Sequence, residues 1–220
     1  MELKDMMDHT LLKAAAKGEE IDKLCREAVE YGFFAVCVNP YYVSRAACQL
    51  EGTKVKVAAV VGFPLGSTPT AVKVFETQKA IEDGADEIDM VMNLGAFKNG
   101  EYSYVQEDFK AVRNAAGKER ILKVIIETCY LDESEIRKAT ELVLGSGADF
   151  VKTSTGFGTD GAKISDIGLI KEIVGDKVGI KASGGIRDRE KALKMVEAGA
   201  TRIGASASVK IVESGGKNER

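Results

Sequence analysis

A structural unit that recurs along the chain constrains the fold most strongly. It consists of a charged amphipathic helix, a glycine and a short run rich in β-branched residues, and it occurs as EYGFFAVCV, EDGADEIDMV, GSGADFVKT and EAGATRIGA. Glycine takes positive φ without strain and commonly ends helices, so each glycine predicts a change from helix to strand. These glycines are Gly32, Gly84, Gly147 and Gly199. Apolar residues at helical spacing precede the first of these glycines, at Ile21, Leu24, Cys25 and Ala28, and recur at Ile167, Ile170 and Val174 before Gly175.

Four more segments have the composition of strands: MMDHTLL (6–12), KVAAVVGF (56–63), ILKVIIET (121–128) and KVGIKASG (177–184). Eight strands alternating with helices require right-handed parallel crossovers and can close on themselves. The sequence therefore predicts a single-domain α/β protein, a (β/α)8 TIM barrel over residues 1–212, followed by a flexible tail at 213–220. The alternative is an open doubly wound sheet, whose G-x-G-x-x-G signature is absent after the first strand.

Composition excludes several classes of function. The 31 Lys and Arg residues are spread along the 220-residue chain and are outnumbered by 34 acidic residues, so a nucleic-acid partner is not expected. No segment has the roughly 18 apolar residues of a membrane span, and the start has no signal-peptide pattern, so we expect a cytoplasmic protein without a membrane partner. The four cysteines are scattered and there is one histidine, so we expect neither disulfides nor a metal site.

Charged residues interrupt four of the predicted strands. They are Asp89, Lys123, Lys152 and Lys181. A lone charge in an apolar strand is unfavourable unless it is paired or functional, and structural pairing explains any one of them equally well. Four together favour an active site, which in such barrels lies at the C-terminal ends of the strands.

Two of the lysines suggest covalent chemistry. Lys152 and Lys181 belong to predicted strands six and seven, which are neighbours in a sequentially wound barrel. If both point inward at a similar height, repulsion and burial keep one amine uncharged near pH 7, and an uncharged amine attacks carbonyl carbon. The products are a carbinolamine and then an iminium ion. Asp89 on strand four is a candidate for moving protons in these steps.

Glycine-rich loops follow the last three strands and predict a phosphate site. Backbone N–H groups in such loops, and helix N-termini, bind anions, and the loops after strands seven and eight often do so in these barrels. The alternative is that the loops are only tight turns and helix caps. The segments are TSTG (153–156), SGGIR (183–187) and GAS (204–206).

Seven motifs, in order along the chain, closely resemble the deoxyribose-phosphate aldolase family. They are DHTLL from Asp8, CVNP from Cys37, VVGFPLG from Val60, EIDMV from Glu87, KVIIET from Lys123, VKTSTG from Val151 and KASGGI from Lys181. The resemblance implies a class I aldolase that interconverts 2-deoxy-D-ribose 5-phosphate with acetaldehyde and D-glyceraldehyde 3-phosphate, without a metal or organic cofactor. It also implies that the substrate is a small phosphorylated sugar and that the role is in deoxynucleoside catabolism.

The same resemblance implies roles for individual residues. Lys152 forms the Schiff base, Lys181 tunes it and Asp89 assists proton transfer. The residues implied to bind substrate or phosphate are Thr10, Cys37, Gly156, Gly184, Gly185, Gly204 and Ser206, and we expect Lys123 of strand five to be a further substrate-binding residue. Some relatives have a lysine where this chain has Phe157, and a serine where it has Ala207, which places more of the phosphate binding on backbone groups.

Two other functions fit the same barrel. Lys152 and Asp89 could act as the acid–base pair of a sugar-phosphate isomerase or epimerase, which would form no covalent adduct. A non-catalytic sugar-phosphate sensor would use the lysines only to neutralise its ligand. For any of these functions we expect a homo-oligomer, with a dimer favoured.

Overall fold

The structure, a computed structural model, describes residues 2–214 and contains a closed barrel of eight parallel strands. The strands follow one another around the barrel in sequence order, and the first pairs with the last along Met7 to His9. Their bounds are β1 Met7–Leu11, β2 Ala35–Val38, β3 Lys56–Val61, β4 Glu87–Val91, β5 Ile121–Ile125, β6 Phe150–Lys152, β7 Gly179–Ser183 and β8 Arg202–Ala205. The predicted (β/α)8 barrel is confirmed, and the open doubly wound sheet is wrong because β1 and β8 close the sheet.

Helices connect the strands on the outside of the barrel. They are α1 Gly18–Tyr31, α2 Val43–Leu50, α3 Thr70–Glu82, α4 Leu94–Lys98, α5 Tyr102–Ala116, α6 Glu133–Leu144, α7 Ile164–Val174, α8 Arg189–Glu197 and α9 Ser208–Glu213. The residues predicted to form the buried faces of α1 and α7 are those that the helices bury. Positive φ angles at the four repeat glycines confirm that each one lies just beyond the end of a helix; they are Gly32 (68°), Gly84 (103°), Gly147 (79°) and Gly199 (119°).

The outer face of the barrel sheet packs against a large apolar core, whereas the barrel interior contains only a small apolar cluster. The large hydrophobic core lies between the strands and the surrounding helices. Inside the barrel, a small cluster of buried residues fills one side, packed against partly buried Phe63; its members are Leu12, Cys37, Ala58 and Val60. Charged side chains fill the other side, since Asp89, Lys123 and Lys181 are fully buried there.

Strand register determines which charged residues meet. Lys152 lies opposite Lys181 in the β6–β7 pair, and Lys181 lies opposite Arg202 in the β7–β8 pair. Asp89 lies opposite Lys123 in the β4–β5 pair. Because side chains alternate between the two faces of a strand, and residues opposite one another in neighbouring strands share a face, these residues all point into the barrel. The prediction that Lys152 and Lys181 meet inside the barrel is confirmed.

The end of the chain is described only to Ser214. Of the predicted tail at 213–220, residues 215–220 lie outside the described residues. Glu213 ends α9, and its carboxylate accepts a hydrogen bond of 2.5 Å from the hydroxyl of Tyr31. Within residues 2–214, no helix has both the length and the apolar character required to cross a membrane.

Candidate active site

A cavity of about 290 Å³ opens at the C-terminal ends of β1, β6, β7 and β8. This is the end of the barrel at which enzymes of this fold place their active sites. Its wall includes seven of the residues singled out from the sequence: Thr10, Lys152, Gly156, Gly184, Gly185, Gly204 and Ser206. The wall also includes Arg187 and the half-exposed ring of Phe157, which packs edge-on against Phe63 with 5.3 Å between ring centroids.

Close approaches of neighbouring atoms require glycine at two positions of this wall, Gly184 and Gly204. A Cβ atom at Gly184, where φ is +85°, would lie 3.0 Å from the Cα of Gly161 and 3.3 Å from the Cβ of Ser154. A Cβ atom at Gly204 would lie 3.0 Å from the Cε of Lys181. Side chains at these positions would therefore push the loops apart or displace the Lys181 amine. The result is a concave surface of backbone groups beside Lys152.

Asp89 lies behind the wall and joins three lysines. Its Oδ2 atom accepts hydrogen bonds from Nζ of Lys152 at 2.8 Å and of Lys181 at 2.7 Å, and its Oδ1 atom accepts one from Nζ of Lys123 at 2.7 Å. Burial raises the pKa of Asp89, but the three lysines more than offset this and hold it well below its usual value. The Sγ atom of buried Cys37 lies 4.0 Å from Oδ2. Lys123 and Cys37 thus contact Asp89 from behind the cavity wall.

Asp89 is also part of a closed circuit of six buried charged side chains, which we call the charge ring: Asp8, Glu87, Asp89, Lys123, Lys181 and Arg202. Asp8 joins Lys181 to Arg202, with 2.9 Å between Arg202 Nη1 and Asp8 Oδ1. Glu87 joins Arg202 to Lys123, at 3.1 Å from Arg202 Nη1 and 2.5 Å from Lys123 Nζ. Asp89 completes the circuit between Lys123 and Lys181.

The surroundings of Lys152, Lys181 and Lys123 shift their pKa values in different directions. Burial lowers the pKa of Lys152 and proximity to Lys181 lowers it further, so that together they outweigh the opposing effect of Asp89. For Lys181, burial is outweighed by the carboxylates of Asp8 and Asp89, and its pKa is raised. For Lys123, Asp89 and Glu87 likewise outweigh burial and raise the pKa. Lys152 is thus the lysine of this group with the greatest tendency to be an uncharged amine.

Three members of the charge ring were not singled out from the sequence. Glu87 stands two residues before Asp89 and therefore faces the same way, a period-two signal that could have identified it. Arg202 stands at the start of β8 within one of the repeat units. Asp8 precedes Thr10 on β1, and burial of its carboxyl is more than offset by Lys181, Lys123 and Arg202, which lower its pKa to about 2.

Glu127 is a further residue that sequence reasoning missed. It is buried and has φ of +54°, a conformation that non-glycine residues rarely adopt. Its carboxylate accepts hydrogen bonds from the backbone N–H of Thr155, at 3.1 Å, and from the Thr155 hydroxyl. The Thr155 hydroxyl in turn accepts one of 3.0 Å from the N–H of Phe157. Glu127 thus fixes the loop after β6 that contributes Gly156 and Phe157 to the cavity.

A barrel that buries a lysine of lowered pKa beside a carboxylate and a glycine-lined cavity has the nucleophile that Schiff-base aldolases, which are carbon–carbon lyases, require. Comparison with known proteins identifies the family. Residues 4–215 match the family described as DeoC/LacD family aldolase, and the chain belongs to this family.

Individual relatives cover nearly the whole chain. It is 58% identical over 216 residues to the deoxyribose-phosphate aldolase of Thermococcus gammatolerans, covering 97% of this chain and 96% of the relative. It is 55% identical over 213 residues to that of Clostridium tetani, covering 97% and 99%. The tetrameric structure of the deoxyribose phosphate aldolase from Aeropyrum pernix superposes with a TM-score of 0.87 at 36% identity, covering 96% of this chain and 90% of that one.

These relationships decide between the functions considered for the barrel. They support an aldolase rather than a sugar-phosphate isomerase, an epimerase or a non-catalytic sensor, since the relatives over nearly the full length are aldolases. They also agree with the resemblance seen in the seven sequence motifs. The predicted family is therefore confirmed.

Proposed function

We propose that this enzyme reversibly cleaves 2-deoxy-D-ribose 5-phosphate to D-glyceraldehyde 3-phosphate and acetaldehyde, through a Schiff base on Lys152. One observation carries the proposal: the Lys152 side chain forms part of the cavity wall, and its pKa is lowered while those of Lys123 and Lys181 are raised. A lysine nucleophile must be deprotonated at the pH of the reaction and must reach its substrate. Among the three lysines, Lys152 lines the cavity and is the one whose pKa is lowered, so it fits both requirements best.

The chemistry begins with attack of Lys152 Nζ on C1 of the open-chain sugar. The carbinolamine loses its hydroxyl group as water and leaves an iminium ion. The C3 hydroxyl then gives up its proton, by way of Asp89, to the Lys181 amine, and the C2–C3 bond breaks. The bonding electron pair moves into the iminium ion to form an enamine, and C3 leaves as the aldehyde carbon of D-glyceraldehyde 3-phosphate. Protonation of the enamine at C2 and hydrolysis of the resulting iminium ion release acetaldehyde and restore Lys152.

Asp89 and Lys181 fit the proton transfers of this sequence. Lys152 and Lys181 both donate hydrogen bonds to Asp89 Oδ2, so that oxygen links the reacting nitrogen to a protonated amine. Because Asp89 has a very low pKa, it passes protons on rather than holding them. In this proposal Lys181 supplies the proton that leaves with the carbinolamine hydroxyl, and Asp89 conveys it.

The remaining wall residues are suited to the phosphorylated end of the sugar. Gly156, Gly184, Gly185 and Gly204 expose backbone groups to the cavity beside the hydroxyl-bearing Ser206. Backbone N–H groups in glycine-rich loops are favourable partners for phosphate oxygens. We assign Thr10, which lines the cavity from β1, to a hydroxyl of the substrate. We also propose a cytoplasmic role in deoxynucleoside catabolism and a homo-oligomer, for which the tetramer of the Aeropyrum pernix relative is the supporting observation.

Reductive trapping tests the central step. The enzyme is incubated with acetaldehyde or deoxyribose phosphate and reduced with borohydride, and its peptides are mapped by mass spectrometry. We expect the acetaldehyde adduct to leave an ethyl group on the peptide containing Lys152. A label on Lys181 would reverse the two roles, and turnover of deoxyribose phosphate without any trapped adduct would contradict the Schiff base. Binding of the sugar without turnover would point to a sensor.

Activity is expected to survive exhaustive chelation. In the proposed sequence the iminium ion is the electron sink, so a Lewis-acid metal has no step to assist. The part of the chain that the structure describes also contains no group of three or more His, Cys, Asp and Glu side chains placed to hold a metal ion. Rates of glyceraldehyde 3-phosphate formation before and after dialysis against EDTA should agree within error. A loss of rate that added zinc restores would contradict the mechanism.

A further inference from the structure

The charge ring balances its own charge. It contains three carboxylates and three cations, and each carboxylate lies between two cations around the circuit: Asp8, Glu87, Asp89, Lys123, Lys181 and Arg202. Lys152 is attached outside the circuit, through its hydrogen bond to Asp89. When Lys152 is an uncharged amine, the buried assembly is neutral. When Lys152 gains a proton, the assembly carries one uncompensated positive charge in the barrel interior, which is unfavourable.

Two members of the ring are remote from the cavity. Arg202 begins β8 and Glu87 begins β4, so both lie at the N-terminal side of the barrel, whereas the cavity lies at the strands' C-terminal ends. Both are buried, and the guanidinium of Arg202 also lies 3.6 Å from the ring centroid of Phe34. A purely structural ion pair at this position would affect stability. A pair that completes the charge ring would in addition affect how Lys152 titrates.

We propose that Arg202 and Glu87 are positioning residues that set the charge state of Lys152 through the charge ring, although neither contacts the reacting atoms. This inference rests on the proposed Schiff base at Lys152. Arg202 supplies the third positive charge and holds Asp8 against Lys181. Glu87 supplies the third negative charge and holds Lys123 against Asp89. Removing either charge alone leaves the ring unbalanced, with opposite signs in the two cases.

The other charged and titratable groups that face Lys152 are unchanged in variants of Arg202 or Glu87. Asp89 from β4 and Lys181 from β7 act on it directly. Lys123 from β5 and Asp8 from β1 act through the ring. The thiol of Cys37 from β2 is buried, which raises its pKa, and Glu127 after β5 is bound to Thr155. Arg202 and Glu87 can therefore be substituted without replacing a direct neighbour of the Lys152 amine.

The test uses the rate at which acetaldehyde is trapped on Lys152 by cyanoborohydride, measured from pH 5 to pH 10. Arg202→Met leaves a negative ring that favours protonated Lys152, so the midpoint of the profile should rise by about one pH unit, the low end of the effect of a neighbouring charge. Glu87→Gln leaves a positive ring, so the midpoint should fall by a similar amount. The double variant Glu87→Gln/Arg202→Met is again neutral and should return the midpoint to that of the parent enzyme.

Charge-preserving and folding controls separate this role from a structural one. Arg202→Lys keeps the charge and should keep the midpoint even if the rate falls at every pH. Loss of one charge from a buried network can prevent folding, which circular dichroism will show. If Arg202→Met does not fold, Glu87→Gln and the double variant still differ by the Arg202 charge and provide the same comparison.

Each outcome is decisive. The inference would be overturned if the midpoints did not move in any folded variant, or if they moved in the same direction in the two single variants. In that case a trapped adduct on Lys152 of the parent enzyme would still support the proposed function. Absence of that adduct in the parent enzyme would remove the proposed function itself. Profiles of kcat/KM against pH should show the same opposite shifts of the acid limb.

Discussion

Replacement of Lys152 by alanine is expected to abolish the trapped adduct and to lower kcat/KM for deoxyribose phosphate by roughly 10⁴-fold or more, as removal of a covalent nucleophile generally does. The neighbouring lysines cannot replace it. Lys181 and Lys123 are bound to carboxylates that raise their pKa, so their amines remain protonated and are not nucleophilic near pH 7. The measurement is the rate of glyceraldehyde 3-phosphate formation together with peptide mapping after reduction.

Lys152→Arg is the matched control for this variant. It keeps a hydrogen-bond donor within reach of Asp89 but cannot form a Schiff base, because the guanidinium stays protonated. Both variants should therefore lose activity, whereas only alanine also removes one of the three hydrogen-bond donors to Asp89. Asp89 retains Lys123 and Lys181 in either case, so we expect the fold to persist by circular dichroism. Residual activity of Lys152→Ala with an adduct on another lysine would show that Lys152 is not the nucleophile.

The barrel and the meeting of the two lysines could both be predicted from local signals. The four repeat glycines mark helix ends, and their positive φ angles show why glycine stands there. Period two and sequential strand order placed Lys152 opposite Lys181, as the register confirms. Both features depend on residues that are close in sequence or on adjacent strands. They can therefore be predicted from the pattern of the sequence.

The circuit around Asp89 could not be predicted in the same way. Arg202 and Glu87 are separated by 115 residues and belong to strands that are not neighbours, so their contact exists only because the barrel closes. The sequence predicts Lys123 as a substrate-binding residue, but the structure places it behind the cavity wall, between Asp89 and Glu87. Glu127 gave no sequence signal, because its left-handed backbone is a property of the folded loop rather than of glutamate.

Asp89 also changes how Lys181 acts on Lys152. From the sequence, the two ammonium groups were expected to repel each other directly. In the structure both contact the same oxygen of Asp89, and burial is the largest cause that lowers the pKa of Lys152, with Lys181 the next. Lys181 therefore contributes in two ways. Its charge opposes protonation of Lys152, and its hydrogen bond occupies part of the Asp89 carboxylate that would otherwise stabilise protonated Lys152.

Replacement of Lys181 by Leu or Met is expected to lower kcat/KM at pH 7 by about 10- to 100-fold, with partial recovery as the pH increases. Loss of the positive neighbour raises the pKa of Lys152, so a smaller fraction of its amine is uncharged at neutral pH. Raising the pH restores that fraction, which moves the acid limb of the profile upward. Recovery is partial because the variant also lacks the amine that supplies protons through Asp89.

Lys181→Arg distinguishes charge from shape at this position. It keeps the positive charge beside Asp8 and Asp89, so its acid limb should shift less than that of the neutral variants. Its rate should still fall at all pH values, since the side chain passes close to Gly204, where a Cβ atom would lie 3.0 Å from Lys181 Cε, and a planar guanidinium fits there poorly. Profiles of kcat/KM against pH for the parent and these variants, with circular dichroism for each, make the comparison. An equal loss at every pH in the neutral variants, with an unmoved acid limb, would mean that Lys181 transfers protons or holds substrate without tuning Lys152.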